Sequence, residues 1–64
     1  MRITEFWHRM EDHFGATYAR SVAQDQVLSE LGGRTVTESL AAGDDVKHIW
    51  RAVCVHFEVP ARHR

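Results

Sequence analysis

Histidine and cysteine are the side chains in this sequence best suited to bind a metal ion. The 64 residues include five histidines and one cysteine. Cys54 and His56 are two residues apart, so on a helix their side chains diverge by about 200° and do not share one tetrahedral ion. His8 and His13 are five apart, whereas helical ligand pairs are three or four apart. Pairs with workable spacing, such as His8 with Asp12, supply only two ligands. We therefore expect no metal and no cofactor.

The same cysteine is the candidate catalytic nucleophile. A reactive thiol has to be exposed and activated by a base. Cys54 instead shares a helical face with Trp50 and Phe57, which predicts a buried thiol that behaves as a small apolar side chain. The acidic pairs at 11–12 and 44–45 are adjacent in sequence and are typical of solvated or capping groups rather than of an acid–base pair. We expect that the protein is not an enzyme.

Two segments could bind phosphate or DNA. The glycine pair before Arg34 could present amides and a guanidinium to a phosphate, but a helix end followed by a helix cap accounts for the same residues. The last two helical segments are arranged like a helix-turn-helix, whose second helix enters the major groove by its N-terminal end. Here that end carries Asp44 and Asp45, which phosphates repel. DNA binding, through the basic tail at 62–64 rather than through this helix geometry, is therefore the alternative function.

Charge and composition narrow the class of protein further. Eight Lys and Arg residues against nine Asp and Glu give a net charge of −1, so charge does not support a nucleic-acid partner. The hydrophobic fraction of 44% argues against disorder. The length predicts one helical domain at 1–60 with a flexible tail at 61–64. The single cysteine and the lack of a long apolar run predict a cytoplasmic protein with no membrane partner.

Hydrophobic periodicity predicts an all-α fold, a compact bundle of four helices. Apolar residues recur at steps of three and four along most of the chain, and nothing alternates with period two, so we expect no strands. The second helix is either continuous or bent near 21–25, where short polar side chains could cap a new turn. The four predicted helices lie at about 4–14, 16–31, 36–42 and 45–58.

Helix caps and large aromatic residues define the ends and the core of this bundle. Thr4 is the predicted N-cap of the first helix, and Thr35 with Glu38 forms a capping box at the third. Asp44 or Asp45 caps the last helix. Most of the buried area is expected from six aromatic side chains: Phe6, Trp7, Phe14, Tyr18, Trp50 and Phe57.

Protein interaction is the functional class that remains. Val55 lies opposite the apolar stripe of its helix and is expected to be exposed. Exposed apolar surface on a domain of this size is typical of a docking patch or of a homodimer interface. We therefore expect a non-enzymatic interaction or regulatory module with an unknown protein partner or with self-association. The candidate contact residues for a partner or DNA are Arg34, Lys47, Arg51 and Val55.

Three blocks of the sequence carry a resemblance to known proteins. They are MRITEFWHRM, VLSELGGRTVTESLAAG and VKHIWRAVCVHFEVP, and together they span Met1 to about Pro60. In this order they resemble a family of short actinobacterial proteins of unknown function. The resemblance implies a cytosolic, all-helical, single-domain protein with no established activity, substrate or cofactor. It also implies a link to recombination or repair for the DNA-binding alternative, since such proteins are often encoded near recombination genes.

Overall fold

Apolar residues at helical spacing form helices at both ends of the chain, as the sequence predicts. A computed structural model describes residues 1–63. Its α-helices are α1 (Ile3–Phe14), α2 (Ala16–Asp25), α3 (Val36–Ala41) and α4 (Val46–His56). Its strands are β1 (Val27–Leu28) and β2 (Arg34–Thr35), and single 3₁₀ turns lie at Ser29–Leu31 and Ala61–His63. The mainly helical fold is therefore confirmed.

The predicted absence of strands is wrong, because α2 ends earlier than the sequence indicated. The backbone becomes extended at Gln26, directly after α2. β1 and β2 then pair antiparallel, with Val27 opposite Thr35. The region is thus neither one continuous helix nor a bent one. Strands of two residues are too short to show an alternating pattern, which is why periodicity did not reveal them.

The glycine pair that was expected to stop a helix instead closes this hairpin. Gly32 has the left-handed conformation, with φ 72° and ψ 28°, and Gly33 follows with φ 82°. The Gly33 amide donates to the Leu28 carbonyl at 3.1 Å. For a residue with a β-carbon, the left-handed backbone conformation costs about 1–2 kcal/mol. Both positions of the turn therefore favour glycine.

The N-termini of α3 and α4 are capped as predicted. The Glu38 amide donates to the Thr35 hydroxyl at 3.1 Å, and the Thr35 amide donates to the Glu38 carboxylate at 2.9 Å. This pair of bonds is the capping box. At α4 the Lys47 amide donates to the Asp45 carboxylate at 3.2 Å, so Asp45 is the cap of the two candidates. Both assignments are confirmed.

The expected cap of α1 is wrong. The helix begins at Ile3, and no side chain caps its first turn. Thr4 therefore lies inside the helix. The chain turns directly from α1 into α2 at Gly15, whose φ of 90° and ψ of 149° lie outside the left-handed helical region. At the other end of the molecule α4 stops at His56, two residues before the predicted end.

The buried core takes side chains from all four helices, from the hairpin and from Val59. Phe6 is fully buried and Trp50 is 3% exposed. Their rings meet edge to face, with centroids 6.0 Å apart. Tyr18 is 61% exposed, so its expected place in the core is wrong; α2 faces the core with two alanines and Val22 instead. The other three aromatic residues pack partly buried against the core: Trp7, Phe14 and Phe57.

Ala61–His63 forms a 3₁₀ turn, and Arg64 lies outside the described residues, so the predicted flexibility of 61–64 stays a prediction. Along residues 1–63, no helix is long and apolar enough to cross a bilayer.

Candidate functional site

A groove of about 440 Å³ lies between α4 and the N-terminal half of the chain. Five of its lining residues belong to α4 and recur at steps of three and four, so one side of this helix forms one wall. The opposite side comes from the chain start and from α1. The lining residues are Met1, Arg9, Lys47, Trp50, Arg51, Cys54 and Val55.

The inner surface of the groove is apolar. Trp50 and Cys54 are each 3% exposed and form its base, which confirms the predicted burial of the thiol. Met1 and Val55 are 39% and 60% exposed and lie toward solvent. The indole Nε1 of Trp50 is buried and has no hydrogen-bond acceptor among the described residues. This surface can therefore receive an apolar side chain, because the base of the groove exposes no polar group to it.

Three basic side chains border the apolar surface. Arg9 donates to Glu5, one turn earlier on α1, at 2.9 Å. Lys47 and Arg51 lie four residues apart on α4 and are both exposed. Within residues 1–63 no salt bridge joins either of them to a carboxylate. The α4 side of the groove therefore carries two positive charges that form no salt bridge with an acidic side chain of residues 1–63.

The structure brings together three of the four predicted contact residues. Lys47, Arg51 and Val55 all line the groove, because separations of four and eight residues place them along one side of α4. Arg34 lies elsewhere, on β2, where its Nη1 is 3.9 Å from the Asp44 Oδ2. The predicted set thus divides into a groove cluster and one separate arginine.

Sequence reasoning missed the other lining residues for two different reasons. Trp50 and Cys54 have the same helical spacing as the predicted residues, but both were assigned only to the core. Met1 and Arg9 carry no signal for this site, because their proximity to α4 depends on how α1 packs. Only the tertiary structure reveals that side of the groove.

A polar contact outside the groove links the hairpin to α4. The Glu30 Oε1 lies 3.0 Å from the His56 Nδ1, and both side chains are 30% exposed. The backbone amide of Glu30 itself lowers the pKa of this carboxyl below its usual value, and the hydrogen bond with His56 lowers it further. This pair joins the turn at Ser29–Leu31 to the last turn of α4, and we interpret it as structural.

The described residues offer no group that resembles a metal centre. Along residues 1–63, no three His, Cys, Asp or Glu side chains lie close enough together to hold an ion. The expectation that the protein has no cofactor and no catalytic activity stays a prediction.

Comparison with known proteins identifies a family without assigning an activity. No curated protein and no solved structure matches the chain. The profile of a family described as a protein of unknown function, DUF3046, matches residues 1–62. The expected membership of a family of unknown function is therefore confirmed, and its actinobacterial origin stays a prediction. Since the match spans nearly all of the sequence, the chain belongs to the DUF3046 family.

Proposed function

We propose that this protein is a non-enzymatic interaction module that binds a segment of a partner protein in the groove between α1 and α4. The observation that carries this proposal is the combination of a buried indole base with exposed apolar and basic borders. Trp50 supplies the base, and Val55 supplies apolar surface at the edge. Aromatic anchoring with a polar rim is the usual arrangement of protein recognition sites.

The dimensions of the groove support a short peptide segment as the ligand. Its volume of about 440 Å³ lies in the usual range of ligand sites, about 300–1,000 Å³. Lys47 and Val55 are eight residues apart, which corresponds to about 12 Å along a helix axis. That length accommodates about two turns of a partner helix. A helix lying in a groove is a recurrent mode of peptide recognition.

DNA binding stays the alternative function. Lys47 and Arg51 support anion binding, but Asp45 caps the N-terminus of α4 and Asp44 precedes it. This end of the helix would have to enter the major groove in a helix-turn-helix. The acidic residues would therefore face the phosphates. A labelled duplex titrated at low salt tests the alternative, because phosphate contacts are strongest there.

Site-specific photo-crosslinking in the producing organism tests the interaction proposal. A photoreactive phenylalanine analogue replaces Val55 in the groove, and a matched control carries it at Tyr18 on α2. The two positions are 60% and 61% exposed, so accessibility does not distinguish them. We expect a discrete protein adduct from position 55 only. Equal adducts from both positions, or none from position 55, would contradict the proposal.

We also propose a cytoplasmic location for this binding activity. The support is Cys54, the single cysteine of the sequence, which is buried as a thiol in α4. Reduced cysteines are typical of the cytoplasm. Cell fractionation with an antibody against the protein tests this, and recovery in a secreted fraction would contradict it.

A further inference from the structure

We infer that the partner segment is an acidic helix that places two carboxylates, four residues apart, against Lys47 and Arg51 and an apolar side chain over Trp50. This inference rests on the proposed function, because it assigns a ligand chemistry to the same groove. It specifies the charge of the partner segment and the spacing of its acidic residues, which the proposed function leaves open.

Charge complementarity is the first argument. The whole chain has a net charge of −1, yet all three charged residues that line the groove are basic. Arg9 already pairs with Glu5, whereas no salt bridge to Lys47 or Arg51 exists among residues 1–63. Opposite charge raises the association rate and excludes like-charged partners. The groove therefore favours acidic segments over neutral or basic ones.

The spacing of Lys47 and Arg51 defines the spacing that we expect between the acidic residues of the partner segment. Side chains four apart on a helix lie about 5–6 Å from each other at their β-carbons. A partner helix lying along α4 presents carboxylates at the same interval when they too are four apart. A large apolar residue three positions after the first carboxylate lies on the same side of that helix. It would then face the groove, where Trp50 forms the base and Val55 the edge.

The apolar surface distinguishes a peptide from a nucleic acid. A DNA backbone requires basic and polar contacts but gains nothing from Met1 or Val55, which are 39% and 60% exposed at the groove. An apolar side chain of a peptide removes this surface from water, and each Å² buried contributes about 25 cal/mol. The groove therefore fits an acidic peptide better than a phosphate chain.

The sequence itself argues against a second copy of the chain as the ligand. Its acidic residues lie at positions 5, 11, 12, 25, 30, 38, 44, 45 and 58. No two of them are three or four apart, so no helix of this chain presents the required pair of carboxylates. We therefore expect the ligand to belong to a different protein.

Selection from a random 12-residue peptide library displayed on phage tests the inference. The folded wild-type chain is compared with the double variant Lys47→Glu/Arg51→Glu. A matched control, Arg34→Glu/Arg62→Glu, makes the same change in net charge at exposed residues outside the groove. Circular dichroism melts establish that all three proteins are folded before selection.

We expect the wild type to enrich peptides in which two acidic residues, four apart, enclose a large apolar residue. Synthetic versions of these peptides should lose about tenfold or more in affinity for the groove variant, because two attractive pairs become repulsive. The control variant should bind within about twofold of the wild type. Raising the salt concentration should weaken binding to the wild type, since exposed charges are screened.

Each other outcome overturns a defined part of the argument. Enriched peptides that are apolar but not acidic, and that bind the groove variant equally well, would overturn the inference while leaving the proposed function intact. A library that yields no binder sensitive to Val55→Arg would overturn both. A labelled 20-base-pair duplex is titrated in parallel. If the duplex binds and Lys47→Glu/Arg51→Glu abolishes this binding while no acidic peptide is enriched, the ligand is DNA and the inference is wrong.

Discussion

The two long outer helices and the central segment of this protein are stabilised in different ways. α1 and α4 have 12 and 11 residues and meet through large apolar side chains, among them Phe6 and Trp50. α1 needs no side-chain cap. The central segment contains a hairpin of two-residue strands and the six-residue helix α3, and its side chains make hydrogen bonds both within the segment and to α2 and α4. A helix as short as α3 does not persist alone, so its ends must be satisfied by specific partners.

The central segment shows this dependence in its contacts. The Thr35–Glu38 capping box holds the start of α3, and the Thr37 hydroxyl donates to the Ala23 carbonyl of α2 at 3.2 Å. Glu30 contacts His56 and so connects the hairpin to α4. Both regions bury apolar side chains, Leu28 and Val36 in the central segment among them, but the short elements also depend on directed polar contacts.

The largest effect is expected at the contact between α1 and α4. Trp50→Ala removes a side chain that is 3% exposed and packs against Phe6. The expected loss is about 3–5 kcal/mol in the free energy of unfolding, which leaves a domain of this size largely unfolded. Trp50→Phe should lose less, because it retains an aromatic ring and removes an indole N–H that is buried without an acceptor among residues 1–63.

Urea denaturation followed by far-ultraviolet circular dichroism measures both variants without relying on tryptophan fluorescence. A cooperative transition near the wild-type midpoint for Trp50→Ala would contradict the assignment of this residue to the core.

The difference between the long helices and the central segment also explains which parts of the structure the sequence could predict. Long apolar stripes made α1 and α4 predictable, and the burial of Trp50 and the exposure of Val55 followed from them. The Thr35–Glu38 pattern was equally informative, since it is a local signal with one interpretation. By contrast, two adjacent glycines fit both a helix end and a hairpin turn. Only the pairing of β1 with β2 decides between them, and strands of two residues leave no pattern in the sequence that predicts this pairing.

The groove also has one side that the sequence could predict and one side that it could not. Its α4 side could be predicted, because helical spacing alone aligns Lys47, Arg51 and Val55. Its other side could not, because the position of Arg9 depends on the angle at which α1 packs against α4. The predicted burial of Tyr18 is wrong for a related reason. α2 approaches its neighbours through alanines, and a pattern of apolar residues does not reveal which sector of a helix comes closest.

An intermediate effect is expected at the capping box of α3. Thr35→Ala removes the side-chain acceptor for the Glu38 amide, and the loss of such a cap costs about 1 kcal/mol. Glu38→Ala should also destabilise, whereas Glu38→Gln should be nearly neutral because glutamine serves in the same motif. Thr4→Ala in α1 is the matched control, since no side chain caps that helix. Urea midpoints measure the stability of all four variants. If Thr4→Ala destabilises the protein as much as Thr35→Ala, then α3 does not depend on its cap more than α1 depends on Thr4.

The smallest effect is a dependence of stability on pH at Glu30. Its own backbone amide, and then His56, lower the pKa of this carboxyl in the folded protein below the ordinary value of 4.5. A lowered folded pKa means that the contribution to stability is complete above the ordinary value and is lost as the pH falls through the folded pKa. The melting temperature of the wild type should therefore exceed that of Glu30→Gln well above pH 4.5, and this difference should shrink as the pH falls below 4.5.

Thermal melts of the two proteins across this pH range measure the difference, so that the titration of the other carboxyl groups cancels. His56→Gln should retain part of the dependence on pH, because the backbone amide is the largest single cause, and lose the part that comes from the hydrogen bond and charge of the imidazole. If instead the difference vanishes in the His56→Gln background, the imidazole contact dominates. The hairpin would then be held to α4 chiefly by a contact between side chains, and the local backbone geometry of the turn would contribute little.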